Sequence, residues 1–201
     1  MTAEEIAAHI QHTNVRPEAT VADIERLLAE CLEYGFNGAM INPIWLPLAT
    51  ATLKGSPVRV CTALDFPTGG ATIATVAGQV AEALRSGAQE IDVMTKVGWL
   101  RSGMEAEYRD HLAAVVSTAD GAPVKAMLEA GLLAPDELVR AVELAVEAGV
   151  TYVKNSSGFG GGDATPGLIS ELRRLAAGRV AVKASGAIRT REDAEALLAA
   201  C

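Results

Sequence analysis

Four of the five lysines in the chain, Lys96, Lys125, Lys154 and Lys183, are separated by 29 residues each time. So regular a spacing points to one structural unit used repeatedly. Three of the four close a short β-branched run: Pro123-Val124-Lys125, Thr151-Tyr152-Val153-Lys154 and Val180-Ala181-Val182-Lys183. The fourth closes Ile91-Asp92-Val93-Met94-Thr95-Lys96. Short apolar runs bounded by glycine and polar residues suit strands of a parallel sheet buried on both faces.

Between the runs lie helical patterns. Leu138, Ala141, Val142, Ala145 and Val146 fall on one stripe of a helix, as do Ile73, Val76, Val80, Ala83 and Leu84, and Val21, Ile24, Leu27, Leu28 and Cys31. Pro135 and Pro166 stand where a first helical residue would, the second after the N-cap Thr165. Thr190 with Asp193 resembles a shortened capping box. Gly35, Gly87, Gly149 and Gly178 each follow a helical stretch and precede a strand. Strands are therefore expected near 10–14, 36–41, 58–64, 90–95, 123–128, 151–155 and 180–184. Seven successive strand–helix units favour an α/β fold of the (β/α)8 TIM-barrel type over an open doubly wound sheet. No Gly-x-Gly-x-x-Gly follows the first strand, which weakens a dinucleotide-binding reading. The repeat ends at Cys201 without an eighth strand, so the expected barrel lacks one.

Length and composition suit one domain over 1–201, since half of the 201 residues are apolar. The net charge of −8 argues against nucleic acid or an anionic membrane as partner. Cys31, Cys61 and Cys201 are odd in number and widely spaced, which suggests neither a disulfide framework nor a zinc site and favours a reducing cytoplasm. Met1 to His9 has no basic n-region of a signal peptide, and the uncharged stretch 66–81 is broken by Thr, Gly and Pro67.

In such a barrel the active site lies at the C-terminal ends of the strands, so strand-end lysines would aim several ammonium groups into one mouth. Like charges in a partly desolvated site disfavour protonation, and a neutral amine is what attack on a carbonyl requires. Any single lysine could simply be solvated or paired with an acid; four in one place of the repeat weaken that reading. Asp92 interrupts an apolar strand, which is costly unless a lysine faces it, either as a structural pair or as a proton relay. Glycine-rich stretches follow two strands, Ser156-Ser157-Gly158-Phe159-Gly160-Gly161-Gly162 and Ser185-Gly186-Ala187. Backbone N–H groups in such loops can hold an anion. His9, His12 and His111 form no metal-ligand spacing, so no metal site is expected. His12 could line the barrel, though a hydrogen-bonded core histidine is the expected reading. No Gly-x-Ser-x-Gly elbow is present.

The chain resembles the deoxyribose-phosphate aldolase family along nearly its whole length. The resemblance is carried by His12-Thr13 with Arg16-Pro17, Tyr34-Gly35-Phe36, Asn42-Pro43, Phe66-Pro67 with Gly70-Ala71-Thr72, and Glu90-Ile91-Asp92. It continues through Leu100-Arg101-Ser102-Gly103, Val153-Lys154 with Ser156 and Gly158-Phe159, and Val182-Lys183-Ala184-Ser185-Gly186 with Ile188-Arg189-Thr190. It implies a class I aldolase that cleaves 2-deoxy-D-ribose 5-phosphate reversibly to acetaldehyde and D-glyceraldehyde 3-phosphate. By the same resemblance Lys154 forms the Schiff base, Lys183 lowers its pKa, and Asp92 relays protons with a water. Ser157, Gly158, Gly186 and Ala187 fall in the loops that hold the substrate phosphate. No cofactor is implied, because the imine stabilises the carbanion.

Four positions depart from the family pattern: Gln11 where an Asp contacts the second lysine, Lys96 where Asn is frequent, Asn155 where Thr is usual, and Ala130 where Thr follows Glu129. Gln11 and Lys96 are expected to make the pocket more positive. They motivate two alternatives, a Schiff-base aldolase or lyase for a different sugar phosphate or keto acid, and a non-catalytic metabolite-binding barrel. The expected partners are a phosphorylated sugar and an aldehyde, with a homodimer as the expected assembly.

Overall fold

In the computed structural model, which describes residues 1–201, seven short strands alternate with helices. The strands are β1 (Gln11–Asn14), β2 (Gly38–Ile41), β3 (Arg59–Leu64), β4 (Glu90–Met94), β5 (Val124–Met127), β6 (Tyr152–Lys154) and β7 (Ala181–Lys183). The helices are α1 (Ala3–Ala7), α2 (Val21–Tyr34), α3 (Leu46–Thr52), α4 (Ile73–Arg85), α5 (Val97–Arg101), α6 (Glu105–Ala119), α7 (Pro135–Glu147), α8 (Pro166–Ala176) and α9 (Arg191–Ala200).

All six strand pairings are parallel and follow chain order. β1 and β7 form no backbone ladder with each other, yet Lys183 Nζ on β7 donates to Gln11 Oε1 on β1 at 2.6 Å. The sheet therefore curls until its edge strands meet through side chains, a TIM-like barrel open along one seam. As expected, there is no eighth strand.

Alternation along each strand builds two apolar layers. Outward residues such as Ile41, Val60, Ile91, Val93, Val124, Ala126 and Val153 join the helix stripes (Ile24, Leu28, Val80, Ala141, Val142, Leu172) in the main core. Each large aliphatic side chain withdrawn from water there contributes about 1.5–3 kcal/mol. Inward residues Met40, Cys61, Ala63, Met94 and Met127 form a smaller cluster inside the barrel, with Val15 and Phe66 against it.

The punctuation read from the sequence is realised. Thr165 caps α8 by accepting from Leu168 N, and Thr190 and Asp193 form the reciprocal box at the start of α9. Gly35 closes α2 at φ +68°, a left-handed conformation that a side chain would strain.

One expectation needs correction. The even lysine spacing does not put the four lysines at one height. The register equates Met94, Met127, Lys154 and Lys183, so Lys125 sits one inward position lower on β5 and Lys96 lies beyond the end of β4. His12, as expected, is hydrogen-bonded and does not line the barrel. It faces α2, where Nε2 lies 2.6 Å from Glu30 Oε2 and the ring packs on Phe36.

Candidate active site

Inward positions alternate with outward ones on β4, so Glu90, Asp92 and Met94 all face the barrel interior. Asp92 is fully buried, and its Oδ2 accepts from Lys154 Nζ at 2.9 Å and from Lys183 Nζ at 2.8 Å. Its Oδ1 faces Lys125 Nζ at 3.1 Å. Lys125 also stands 2.6 Å from Glu90 Oε2 and lies over the Tyr152 ring at 5.6 Å. Its two carboxylate contacts are ion pairs without hydrogen-bond angles. Glu90 is held in turn by Arg59 and by Gln11 Nε2 at 2.8 Å. Charge thus alternates through the barrel from Arg59 to Glu90, Lys125, Asp92 and finally the pair Lys154 and Lys183.

This packing shifts the titrations. Burial alone would raise the Asp92 carboxyl, but the ammonium groups of Lys154, Lys183 and Lys125 outweigh it and hold the carboxyl well below the usual range. Lys183 is pushed down to about 8. Burial is the main cause; Asp92 opposes it, and the cations of Lys154 and Lys125 push further down. Lys125 moves the other way, because Asp92 foremost more than offsets its burial. Gln11 gives Lys183 a neutral carbonyl and no second carboxylate, so Asp92 is the sole anion bonded to that amine. Lys154 has a second neighbour in Met127 Sδ at 3.6 Å, a weak acceptor.

Lys96 was expected to add a cation to this pocket, and it does not. Its ammonium is buried against Asp65 and donates to Gly69 O at 2.8 Å and Ala71 O at 2.5 Å. It ties down the loop after β3, where Phe66 meets Phe159 edge to face at 5.1 Å across the mouth of the barrel. A groove of about 560 Å³ opens beside them, lined among others by Thr13, Asn14, Arg16, Gly158 and Phe159.

The glycine-rich loops lie next to the lysines, at the ends of β6 and β7. Gly158, Gly186 and Ala187 have φ of +88°, +93° and +58°, and none of their N–H groups donates to a protein backbone carbonyl. Free N–H groups in left-handed turns form concave anion sites. Ser157 uses its N–H on the Glu129 carboxylate and accepts from Phe159 N at 3.0 Å, which leaves its hydroxyl hydrogen for a ligand. The Asp163 side chain packs against Gly186, where a Cβ would collide with it.

The structure therefore brings together Asp92, Lys154 and Lys183, with the loops of Ser157, Gly158, Gly186 and Ala187 following directly. Sequence reasoning gave no role to Glu90, Arg59 or Glu129. Glu90 could have been found, since it precedes Asp92 by two and so shares its face of the strand.

No family model matches the chain. Over 196 residues it is 42% identical to deoxyribose-phosphate aldolase of Geobacillus sp. (strain WCH70), covering 97% of this chain and 88% of that relative. It is 41% identical over 192 residues to the protein of that name from Streptococcus suis (strain 98HAH33), covering 96% and 87%. The solved deoxyribose phosphate aldolase from Aeropyrum pernix, described as tetrameric, superposes with a TM-score of 0.92 at 30% identity. That match covers 99% of this chain and 85% of the other. A Coccidioides immitis structure carrying the same family name gives 0.96 at 31% identity, covering 100% and 80%.

Proposed function

The chain belongs to the deoxyribose-phosphate aldolase family, and on that footing we propose that Lys154 is its imine-forming amine, with Asp92 and Lys183 moving the protons. It is an aldolase that reversibly cleaves 2-deoxy-D-ribose 5-phosphate to acetaldehyde and D-glyceraldehyde 3-phosphate. One observation carries the assignment of roles: two lysines at the same height on neighbouring strands share a single buried carboxylate oxygen.

Lys154 gives up a proton through Asp92 to a neutral Lys183, its free amine adds to C1 of the open-chain sugar, and loss of water leaves a protonated imine. The C2–C3 bond breaks, its electron pair passing into the imine while the C3 hydroxyl gives up its proton. D-Glyceraldehyde 3-phosphate departs. The enamine left on Lys154 is protonated at C2, and water hydrolyses the resulting imine to acetaldehyde and free amine. Each step needs a group that both takes and returns a proton near neutral pH. Lys183, titrating near 8, has that property and reaches Lys154 through Asp92 Oδ2. The free N–H groups of Gly158, Gly186 and Ala187, with the Ser157 hydroxyl, would receive the 5-phosphate. The reading extends to a cytoplasmic homodimer; no helix is long and apolar enough to cross a membrane.

Turnover of 2-deoxy-D-ribose 5-phosphate tests the assignment. Lys154→Met should lower kcat by roughly 10⁴-fold or more, as loss of a covalent nucleophile does. A Lys154→Met enzyme that is folded and still turns over within about tenfold of the parent would refute Lys154 as nucleophile.

A further inference from the structure

Asn155 follows Lys154 and is fully buried. Its Nδ2 donates to Gly162 O at 2.7 Å and to Ser185 O at 2.8 Å, and its Oδ1 accepts from Ser185 N at 2.8 Å. Its own carbonyl accepts from Ala130 N at 2.8 Å. One residue thus fastens the loops that follow β5, β6 and β7, and its amide uses both hydrogens and its oxygen on them.

The consequence for the glycine loops is geometric. A peptide unit is planar and trans, so its C=O and the next N–H point in opposite directions. Asn155 holds Ser185 O at the shorter distance, Ala164 N donating to the same oxygen at 3.2 Å, and so sets the direction of the Gly186 N–H, which no backbone carbonyl accepts. By holding Gly162 O it anchors the far end of a loop with four glycines in five residues, 158–162, a composition that otherwise leaves the backbone free. The near end is anchored by Glu129, buried without a basic partner, which accepts from Ser157 N. Gly131 and Gly162 lie so close that a Cβ on either would come within 2.6 Å of the other's nitrogen.

We propose that Asn155 is a positioning residue that joins the β6 and β7 loops into one phosphate cradle and so sets the preference for phosphorylated over unphosphorylated sugar. The proposal rests on the aldolase reading above. It concerns only the phosphate end of the substrate, since the Asn155 amide touches none of the lysines.

The test compares kcat/KM for 2-deoxy-D-ribose 5-phosphate and for 2-deoxy-D-ribose in the parent and in Asn155→Ala. The ratio of the two should fall about tenfold or more, the size expected when several polar groups lose their partner at once. Asn155→Asp, closer in shape but facing two carbonyls with a second oxygen, should lower it as well and serves if the alanine variant fails to fold. A ratio within about twofold of the parent, or an equal loss on both sugars, would overturn the proposal. Inorganic phosphate, titrated calorimetrically into the parent and the same variants, gives a readout independent of turnover. Weaker phosphate binding in the variants supports the proposal and unchanged binding overturns it. Absence of cleavage by the parent enzyme would instead count against the aldolase reading.

Discussion

Asp92 places two ammonium groups on one oxygen, and an asparagine there would leave Lys154 and Lys183 without a carboxylate partner and Lys125 with Glu90 alone. Removing one partner of a buried pair typically costs about 3–5 kcal/mol, so Asp92→Asn should lose that order of stability in denaturant titrations at pH 7. The folded parent holds Lys183 down to about 8 against an ordinary 10.5, and losing Asp92 lowers it further, so part of that loss should return as pH rises toward 8. Between those values the unfolded chain binds more protons, so this residue makes stability rise with pH. Asp92 acts in the same direction at the acid end: its depressed folded pKa stabilises above its ordinary 3.8, and that contribution is lost as the solution is acidified. Because Asp92 raises Lys183, the substitution should also move the Lys183 titration below about 8, visible by NMR of isotopically labelled lysine side chains. An upward or absent shift would contradict the network described. Asp92 was legible in the sequence because a carboxylate in an apolar strand must have a partner. Gln11 was legible only in part: its contact with Lys183 was foreseen, its bridge to Glu90 was not.

Strands could be located from runs of β-branched residues and helices from stripes and caps, because both patterns are local. Side-chain height was not local. Lys96 keeps the even spacing but stands past β4, at the start of α5, where its side chain follows the loop and not the strand alternation. Only the register between strands separates it from Lys154, and register is a tertiary property. Its pairing with Asp65 makes it a clamp on the β3 loop. Lys96→Met should therefore destabilise the fold by about 3 kcal/mol, and Asp65→Asn added to it should recover most of that loss, since no buried carboxylate is left unpaired. Thermal melts of the single and double variants check this. A single variant as stable as the parent would show that the clamp contributes nothing. What Glu129 and Asn155 do escaped sequence reading for the same reason: Ser157 and Ser185, which they hold, lie on the loops of neighbouring strands.

The order of the seven strands follows from the repeat, but the way the first and last approach does not. β1 and β7 each carry one unpaired edge, and only the Lys183–Gln11 side-chain bond links them. Unpaired edges open at lower cost than strands flanked on both sides. Amide hydrogen exchange should accordingly protect β3, β4 and β5 most strongly and β1 and β7 least; uniform protection across the seven strands would mean that the seam is closed in solution. The two apolar layers hold the centre of the sheet, which also carries Asp92, so this carboxylate sits on a strand paired on both sides while Lys154 and Lys183 reach it from the flank.

On the proposal above, Lys154 and not its neighbour Lys183 forms the imine. The distinction is open to direct test because Lys183, held down to about 8, would compete if geometry did not decide. Incubation with acetaldehyde and borohydride, followed by peptide mapping, reads the attacking amine directly. The expected result is a reduced two-carbon adduct on Lys154. An adduct on Lys183 alone, or none on folded protein, would overturn Lys154 as the imine-forming amine.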